Sequence, residues 1–498
     1  LVTPQAANKT MGQGGFQEVE QMNLFKDMVC YQEEVRDPSR MAEVLNRVIE
    51  KAFRGSAPAQ INVPRDYWTQ VIDIDLPPIV RFERQGGGKE AIEKAAKLLS
   101  DAKFPVILSG AGVVIGNAID ECKKLAEKLD APVCNGYQHN DSFPGSHPLA
   151  VGPLGYNGSK AGMELISKAD VVLALGTRLN PFSTLPGYGI DYWPKDATVI
   201  QVDMNPDRIG LTKKVTVGIC GDAKMVSQQI LEKLSPTAGD NGRDERKNLI
   251  HQTKSSWLQT LTSLDHEDDD PGTVWNKEAR ERDSDRMSPR QAWRAIQAGM
   301  PDDVIISSDI GNNCAIGNAY PTFEKPRKYL APGLFGPCGY GFPSILGAKI
   351  GCPDTPVIGF AGDGAFGISM NEMSSCAREE WPAITMVIFR NYQWGAEKRN
   401  SILWFDDNFI GTELDPELSY AKVANACGLK GVAVKTMEET TKAIKQSCED
   451  QKKGITTFIE VILNQELGEP FRRDAMKKPV EVAGIEKGDM KPQKSLVG

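Results

Sequence analysis

The sequence predicts an α/β protein built from three doubly wound, parallel-sheet domains. Three observations lead there. The chain has 498 residues, where a domain usually takes about 100–200. Short apolar runs alternate with helical patterns along most of it, as in repeated strand–helix–strand units. Stretches rich in Pro and Gly, or in charge, divide these units into blocks. The composition is that of an ordinary folded protein, with 40% hydrophobic and 25% charged residues. Basic and acidic side chains number 58 and 66, a net charge of −8. That sign argues against nucleic acid and anionic membrane partners. No apolar stretch approaches the ~20 residues that span a bilayer, and no secretory segment is present. The 10 cysteines form no Cys-x-x-Cys pair, which fits reduced thiols and a cytoplasmic location.

The first block holds an amphipathic helix over Pro38–Phe53, with Met41, Val44, Leu45, Val48 and Ile49 at helical spacing, then a strand at Gln60–Pro64. A Pro- and Gly-rich linker, Pro77–Gly88, closes it. The second block, residues 85–234, opens with a helix ending near Leu99, then the strand Pro105–Ser109, the turn Gly110-Ala111-Gly112 and the helix Asn117–Leu129. Further strands are expected at Pro132–Asn135, Val171–Leu175 and Val199–Val202. Residues 235–287 read as a polar linker, and the run Glu267-Asp268-Asp269-Asp270 as a solvated connector. The third block covers 288–465, and a basic tail, 466–498, follows.

The chemistry concentrates in the third block. Val357–Ala361 reads as a buried strand running into Gly362-Asp363-Gly364, and a second strand, Ile384–Phe389, ends at Arg390-Asn391. A parallel crossover between the two places both strand ends at one edge of the sheet, so Asp363 and Asn391 are expected to meet. A carboxylate and an amide oxygen beside glycine-rich turns suit Mg²⁺ bound together with phosphate oxygens. The glycines admit a close backbone approach, and the N–H groups of Ala365 and Phe366 favour an anion. A plain turn explains a lone Gly-Asp-Gly equally well; the 26 residues from Ala365 to Arg390, with the right secondary structure between, favour the site.

Gly362-Asp363-Gly364 followed by Asn391 resembles the cofactor motif of the thiamine-diphosphate superfamily of acetolactate synthase, pyruvate oxidase and pyruvate decarboxylase. The resemblance implies that Asp363, Asn391 and the carbonyl of Gln393 hold Mg²⁺ against the cofactor's diphosphate. Arg390 stands where the motif usually has a first Asn. Gly336-Pro337-Cys338-Gly339-Tyr340-Gly341-Phe342-Pro343 resembles the stretch whose bulky residue props the cofactor, which makes Cys338 that residue. Asp309-Ile310-Gly311-Asn312-Asn313 resembles the loop touching the diphosphate, with a simple capped loop as the competing explanation. Over nearly its whole length the chain resembles the sulfoacetaldehyde acetyltransferase family, most distinctively in Gly12–Glu18, Asn391–Asn400 and Glu466–Arg473. That resemblance implies conversion of sulfoacetaldehyde and phosphate to acetyl phosphate and sulfite, within sulfonate and taurine degradation, by a homodimer or homotetramer with shared active sites. Phe16 and Gln17 match a pair that projects toward such a site. Residues 1–76 resemble only the later part of a pyrimidine-binding domain, so the first domain is expected to be incomplete and to lack the Glu that activates the cofactor. Another carboligase of the superfamily, such as an acetolactate synthase, and an inactive fragment serving in assembly are the alternatives.

Three further features have competing explanations. Gly110-Ala111-Gly112 with Gly116 resembles a dinucleotide fingerprint, but the third glycine is one place late and no acidic residue ends the next strand, so packing is the expectation. The four histidines show no metal spacing; only His139, just past a strand end, is a candidate active-site group. Lys398 and Arg399 lie just past Asn391, where a phosphate or sulfonate needs cationic donors. Helix surface charge explains them equally well.

Overall fold

The computed structural model describes residues 1–498 except 79–82, 189, 264–273, 334, 379, 405–407 and 468–498. The chain divides into two compact units, Leu1–Arg84 and Gln85–Gly498.

The first unit is a three-stranded parallel sheet of β1 (Val2–Gln5), β2 (Tyr31–Glu34) and β3 (Ala59–Pro64), in the order β1-β3-β2. The apolar central strand β3 is buried at all its positions. Against it packs the helix Met41–Gly55, entered through a turn at Pro38–Arg40 that the Asp37 carboxylate caps by accepting the Ser39 N–H at 2.9 Å. Of the expected apolar stripe, Val44 and Val48 enter the core, whereas Leu45 and Ile49 remain 39% and 45% exposed.

The second unit carries two six-stranded sheets, every pairing parallel. One contains β4 (Pro105–Ser109), β5 (Val133–Asn135), β6 (Ala150–Pro153), β7 (Val171–Leu175), β8 (Thr198–Asp203) and β9 (Val217–Cys220), ordered β6-β5-β4-β7-β8-β9. The other contains β10 (Ile305–Ser308), β11 (Tyr329–Leu330), β12 (Val357–Gly362), β13 (Thr385–Arg390), β14 (Lys430–Val434) and β15 (Thr457–Ile462), ordered β11-β10-β12-β13-β15-β14. Their central strands are apolar and covered on both faces, as parallel sheets require. The glycine-rich turn after β4 packs against backbone: a Cβ on Gly112 would lie 2.6 Å from Cα of Gly176, and one on Gly110 2.6 Å from the Gly176 carbonyl oxygen. Close packing accounts for these glycines, as expected.

The stretch 235–287 differs from the linker expected of it, for it contains the helices Arg243–Ser263 and Val274–Arg282. Its charge hid this. Arg246 is buried and donates to five backbone carbonyls, those of Lys103, Leu129, Asp130, Gly239 and Asn241, which satisfy the guanidinium away from water. The run Glu267–Asp270 and the tail around Pro470–Arg473 lie outside the described residues. No helix among the described residues is long and apolar enough to cross a membrane. The ten cysteines are free thiols.

Candidate active site

Strands β12 and β13 are neighbours, with Gly362 paired to Phe389, so the residues that follow them emerge at the same sheet edge. Strand β10 lies on the other side of β12 and delivers Asp309–Asn313 to that edge. The chain runs from β10 outward to β11 and then returns to β12, which makes the gap between β10 and β12 the switch point where open α/β sheets bind ligands.

At this edge one side of the Asn391 amide lies 3.3 Å from Asp363 Oδ1 and 3.3 Å from the Gln393 carbonyl oxygen, and its other side 3.2 Å from Asn313 Nδ2 and 3.3 Å from Gln393 Nε2. With its nitrogen toward the two oxygens the amide is satisfied on both sides. Turned over, its oxygen would join Asp363 Oδ1 and the Gln393 carbonyl as a third oxygen ligand for a cation. Octahedral Mg²⁺ spaces neighbouring ligand oxygens at about 3.0 Å, close to the separations here. Among the described residues no cluster of three His, Cys, Asp or Glu side chains could hold a metal.

Asp363 is buried. Its Oδ2 accepts from Arg390 Nη1 at 3.1 Å and from the Tyr392 N–H at 2.7 Å, and its Oδ1 from the Gly364 N–H at 3.0 Å. Burial pushes its carboxyl up to about 6, against the opposing pull of Arg390 and of the Tyr392 and Gly364 N–H groups. Tyr392 adopts a left-handed backbone, φ 59°, rare for a bulky residue. Its N–H on Asp363 and its carbonyl, which accepts the Leu414 N–H at 2.9 Å, hold it there.

Gly395 opens the helix Gly395–Trp404. A Cβ there would lie 3.4 Å from Asn312 Nδ2, 3.6 Å from Gln393 Nε2 and 3.7 Å from Asn391 Nδ2. The missing side chain thus leaves a space lined by the side-chain amides of Asn312, Gln393 and Asn391, and Asn312 Nδ2 is buried with no hydrogen-bond partner among the described residues. An unpaired donor there suits an oxyanion. Gly362 and Gly311 also face open space, Gly311 with φ 126°. Gly364 differs: a Cβ would strike the Trp394 ring at 2.8 Å, so this glycine is required by packing. Ala365 is buried and the Phe366 ring sits in the core against Phe342, Tyr420 and Phe458, so only their backbone can serve a ligand.

The Asp309 carboxylate accepts the N–H groups of Ile310 at 2.8 Å, Gly339 at 3.1 Å and Gly341 at 2.7 Å, tying the loop after β10 to the glycine-rich stretch around Cys338. Partial burial, then the Asp309 and Glu397 carboxylates, push the Cys338 thiol up.

Of the two cations past Asn391, Lys398 is buried and paired with Glu413, which braces the loop leading out of its helix. Arg399 is buried, donates through Nη1 to Asn312 Oδ1 at 3.0 Å and to the Tyr156 hydroxyl, and lies 5.6 Å from the Tyr156 ring centroid. Tyr156 belongs to the loop after β6 and was not singled out by the sequence, whose only signal there is Gly155-Tyr156-Asn157-Gly158. Gly395 and the part played by Arg390 were also missed. His139 lies in the turn after β5, and burial pushes it down to about 4, so it is neutral near pH 7. Among the described residues its imidazole makes no hydrogen bond to Asp363, Asn391 or Arg399. Its neighbours join the two sheets: Asn140 donates to the carbonyls of Asn318 and Pro321 at 2.9 and 3.0 Å, and Asp141 accepts the Lys328 N–H at 3.0 Å. Phe16 and Gln17 stand in the first unit, in a loop fastened by the Glu18 carboxylate on the Gly12 and Gly15 N–H groups; Phe16 is 83% exposed.

Residues 92–234 match the thiamine pyrophosphate enzyme central domain, and residues 309–461 match the thiamine pyrophosphate enzyme C-terminal TPP binding domain. A probable sulfoacetaldehyde acetyltransferase of Rhizobium meliloti (strain 1021) is 78% identical over 496 residues, covering 100% of this chain and 84% of that protein. The chain belongs to the sulfoacetaldehyde acetyltransferase family of thiamine-diphosphate enzymes. A second member of that family, the sulfoacetaldehyde acetyltransferase of Roseovarius nubinhibens, is 75% identical over 493 residues, with 99% of this chain and 82% of that protein covered. More distant is a probable acetolactate synthase large subunit of Methanococcus aeolicus, 28% identical across 90% of this chain and 74% of that protein. The benzoylformate decarboxylase of Polynucleobacter necessarius shares the fold, with a TM-score of 0.74 at 20% identity and coverage of 94% and 82%. In this chain the second matched domain begins at Asp309 and contains Asp363, Asn391 and Arg399.

Proposed function

We propose that the chain converts sulfoacetaldehyde and phosphate into acetyl phosphate and sulfite, with thiamine diphosphate and Mg²⁺ as cofactors. The observation that carries the cofactor reading is the convergence of Asp363, Asn391 and the Gln393 carbonyl at one sheet edge, beside the open turns at Gly311 and Gly362. The substrate reading comes from the family. The reaction balances without an oxidant: one aldehyde and one hydrogen phosphate give one acetyl phosphate and one hydrogen sulfite. Asp363 Oδ1, Asn391 Oδ1 and the Gln393 carbonyl would hold Mg²⁺. The space beside Gly395, the open turns at Gly311 and Gly362, and the amides of Asn312 and Asn313 would hold the diphosphate, with Cys338 against the cofactor ring. When bound, thiamine diphosphate supplies a nucleophilic carbon and an electron sink. Arg399, aimed by Tyr156 and Asn312, would meet the oxyanion of phosphate or sulfonate, where its forked donors suit such groups. Lys398 sets the loop that carries Glu413. The working form is taken as a cytoplasmic homodimer or homotetramer, with Phe16 and Gln17 presented to a second copy.

The test supplies the purified protein with thiamine diphosphate, Mg²⁺ and phosphate and measures sulfite released from sulfoacetaldehyde, beside acetolactate formed from pyruvate. Sulfite without acetolactate is expected. Acetolactate without sulfite would make it a carboligase, and neither product, with cofactor bound, an inactive relative.

A further inference from the structure

Strand β13 ends on a cation that is itself wholly enclosed. Arg390 is 0% exposed. Its Nη1 donates to Asp363 Oδ2 at 3.1 Å, and its Nη2 to the Leu418 carbonyl at 2.9 Å and to the Asp415 carbonyl. Its Nε lies 3.7 Å from Glu460 Oε1. The guanidinium also stacks on Tyr392, 4.2 Å from the ring centroid, with Tyr420 at 5.4 Å. Its partners are fixed in turn: Glu460 Oε2 accepts from Ser419 Oγ at 2.6 Å and the Ala421 N–H at 3.1 Å, while the Tyr420 hydroxyl donates to the Asp363 carbonyl at 2.8 Å. Such a network has little freedom to rotate.

Its effect falls on the two oxygens of Asp363. Oδ2 already receives two donors, Arg390 Nη1 and the Tyr392 N–H, and so is taken. Oδ1 receives the Gly364 N–H and is the oxygen 3.3 Å from the Asn391 amide, the side a metal would enter once that amide turns its oxygen inward. A carboxylate held this way can offer a metal one oxygen but cannot turn to offer both. Mg²⁺ demands near-octahedral geometry and takes single oxygens, whereas Ca²⁺ accepts a bidentate carboxylate in a larger shell.

We propose that Arg390 is a positioning residue that fixes Asp363 as a single-oxygen ligand and thereby biases the cofactor's metal site toward Mg²⁺ over Ca²⁺. This rests on Asp363 and Asn391 holding the metal. A shorter amine at the same place keeps the charge but loses the fork, which frees the Asp363 carboxylate to turn.

The test compares wild type with Arg390→Lys and Glu460→Gln, each given thiamine diphosphate and titrated with MgCl₂ or CaCl₂. The readouts are quenching of tryptophan fluorescence, since the Trp394 ring lies on Gly364 beside the site, and calorimetry. In Arg390→Lys the half-saturating Mg²⁺ concentration is expected to rise about tenfold and that of Ca²⁺ much less, so that their ratio moves at least fivefold toward Ca²⁺. Glu460→Gln leaves the Arg390–Asp363 bond in place and is expected to lower the melting temperature without moving the ratio. A folded Arg390→Lys protein whose ratio equals that of wild type would overturn the proposal, as would an equal shift in Glu460→Gln. A measurement on wild type alone covers the case in which Arg390→Lys does not fold. Infrared difference spectra taken on adding Mg²⁺ to the protein with thiamine diphosphate are expected to show the widely separated carboxylate stretches of single-oxygen binding, and the narrow separation of a bidentate carboxylate would overturn it. Absence of any metal-dependent signal in wild type would instead remove the underlying assignment of the metal site.

Discussion

Arg399 donates from the helix after β13 to the hydroxyl of Tyr156, in the loop after β6 of the other six-stranded sheet and 243 positions earlier in the chain. The same nitrogen takes Asn312 Oδ1 at 3.0 Å, and all three side chains are buried. One guanidinium therefore joins the loop after β6, the loop after β10 and the helix that opens at Gly395. A loop of one six-stranded sheet is thus tied to a loop of the other.

Loss of that guanidinium is expected to weaken recognition of an anionic substrate. A charge-assisted hydrogen bond contributes about 1.5–3 kcal/mol, so Arg399→Leu is expected to raise KM for phosphate or sulfoacetaldehyde roughly ten- to a hundredfold. Tyr156→Phe, which removes only the hydroxyl that aims Arg399, is expected to give a smaller rise for the same substrate. Steady-state kinetics with each substrate varied in turn decide this; unchanged constants in both variants would leave Arg399 as a structural tie.

Gly395→Ala separates cofactor binding from folding. The added Cβ would meet its nearest neighbour at 3.4 Å, an ordinary contact, and alanine favours a helix by up to about 1 kcal/mol over glycine. The melting temperature is expected to hold or rise while the Kd of thiamine diphosphate with Mg²⁺ increases at least tenfold, because the methyl group fills the space among the three side-chain amides. Calorimetric titration alongside thermal melts checks both halves, and wild-type affinity would show that the diphosphate lies elsewhere.

The two obvious substitutions at Asp363 are expected to differ in stability but not in binding. Both Asp363→Asn and Asp363→Ala remove the charged ligand and are expected to abolish Mg²⁺-dependent cofactor binding. Both also take the carboxylate from the buried Arg390, a change that typically costs about 3–5 kcal/mol, and Asp363→Ala in addition leaves Arg390 Nη1 and the Tyr392 N–H without their acceptor, at about 1–3 kcal/mol for each buried donor. The expected order of urea midpoints is wild type, then Asn, then Ala. Equal midpoints for the two variants would mean that the hydrogen bonds accepted by Oδ2 add nothing to the fold beyond the charge.

The residues that sequence alone located are those whose chemistry is local to a strand end. Buried apolar runs bounded by glycine announce β12, and its spacing to β13 brings Asp363 and Asn391 together without any three-dimensional knowledge. The strands β4 and β7 are legible for the same reason. Short or polar edge strands are not: β2 is Tyr31-Gln32-Glu33-Glu34, and β11 has two residues. Charge misled where the fold buries it. Arg246 is marked as surface by its type, and only the five carbonyls around it, most of them distant in sequence, make its burial affordable. Arg390 was visible as an odd residue in a motif, but its bond to Asp363 depends on side-chain direction. Tyr156 carries no signal in its own neighbourhood, because its partner Arg399 stands on a helix 243 positions away.

His139 is expected to act on stability rather than on chemistry. Burial pushes its imidazole down to about 4, below an ordinary value of about 6.5. Between those limits the unfolded chain takes up a proton that the folded one refuses, so this residue's contribution is fully present above about pH 6.5 and declines as the pH falls toward 4. From pH 7 to pH 5 the loss amounts to about 2 kcal/mol. His139→Gln cannot take up that proton, and its stability is expected to fall correspondingly less over the same range. Chemical denaturation of both proteins at pH 7 and pH 5 measures the difference, and comparing the two cancels the other titrating groups. Asp141, two residues on, remains in both proteins with its carboxylate on the Lys328 N–H at 3.0 Å. Equal losses in wild type and His139→Gln would show that the imidazole reaches solvent and titrates normally. A large fall in kcat at pH 7 with stability unchanged would return His139 to the active site, where its position past the end of β5 first suggested it.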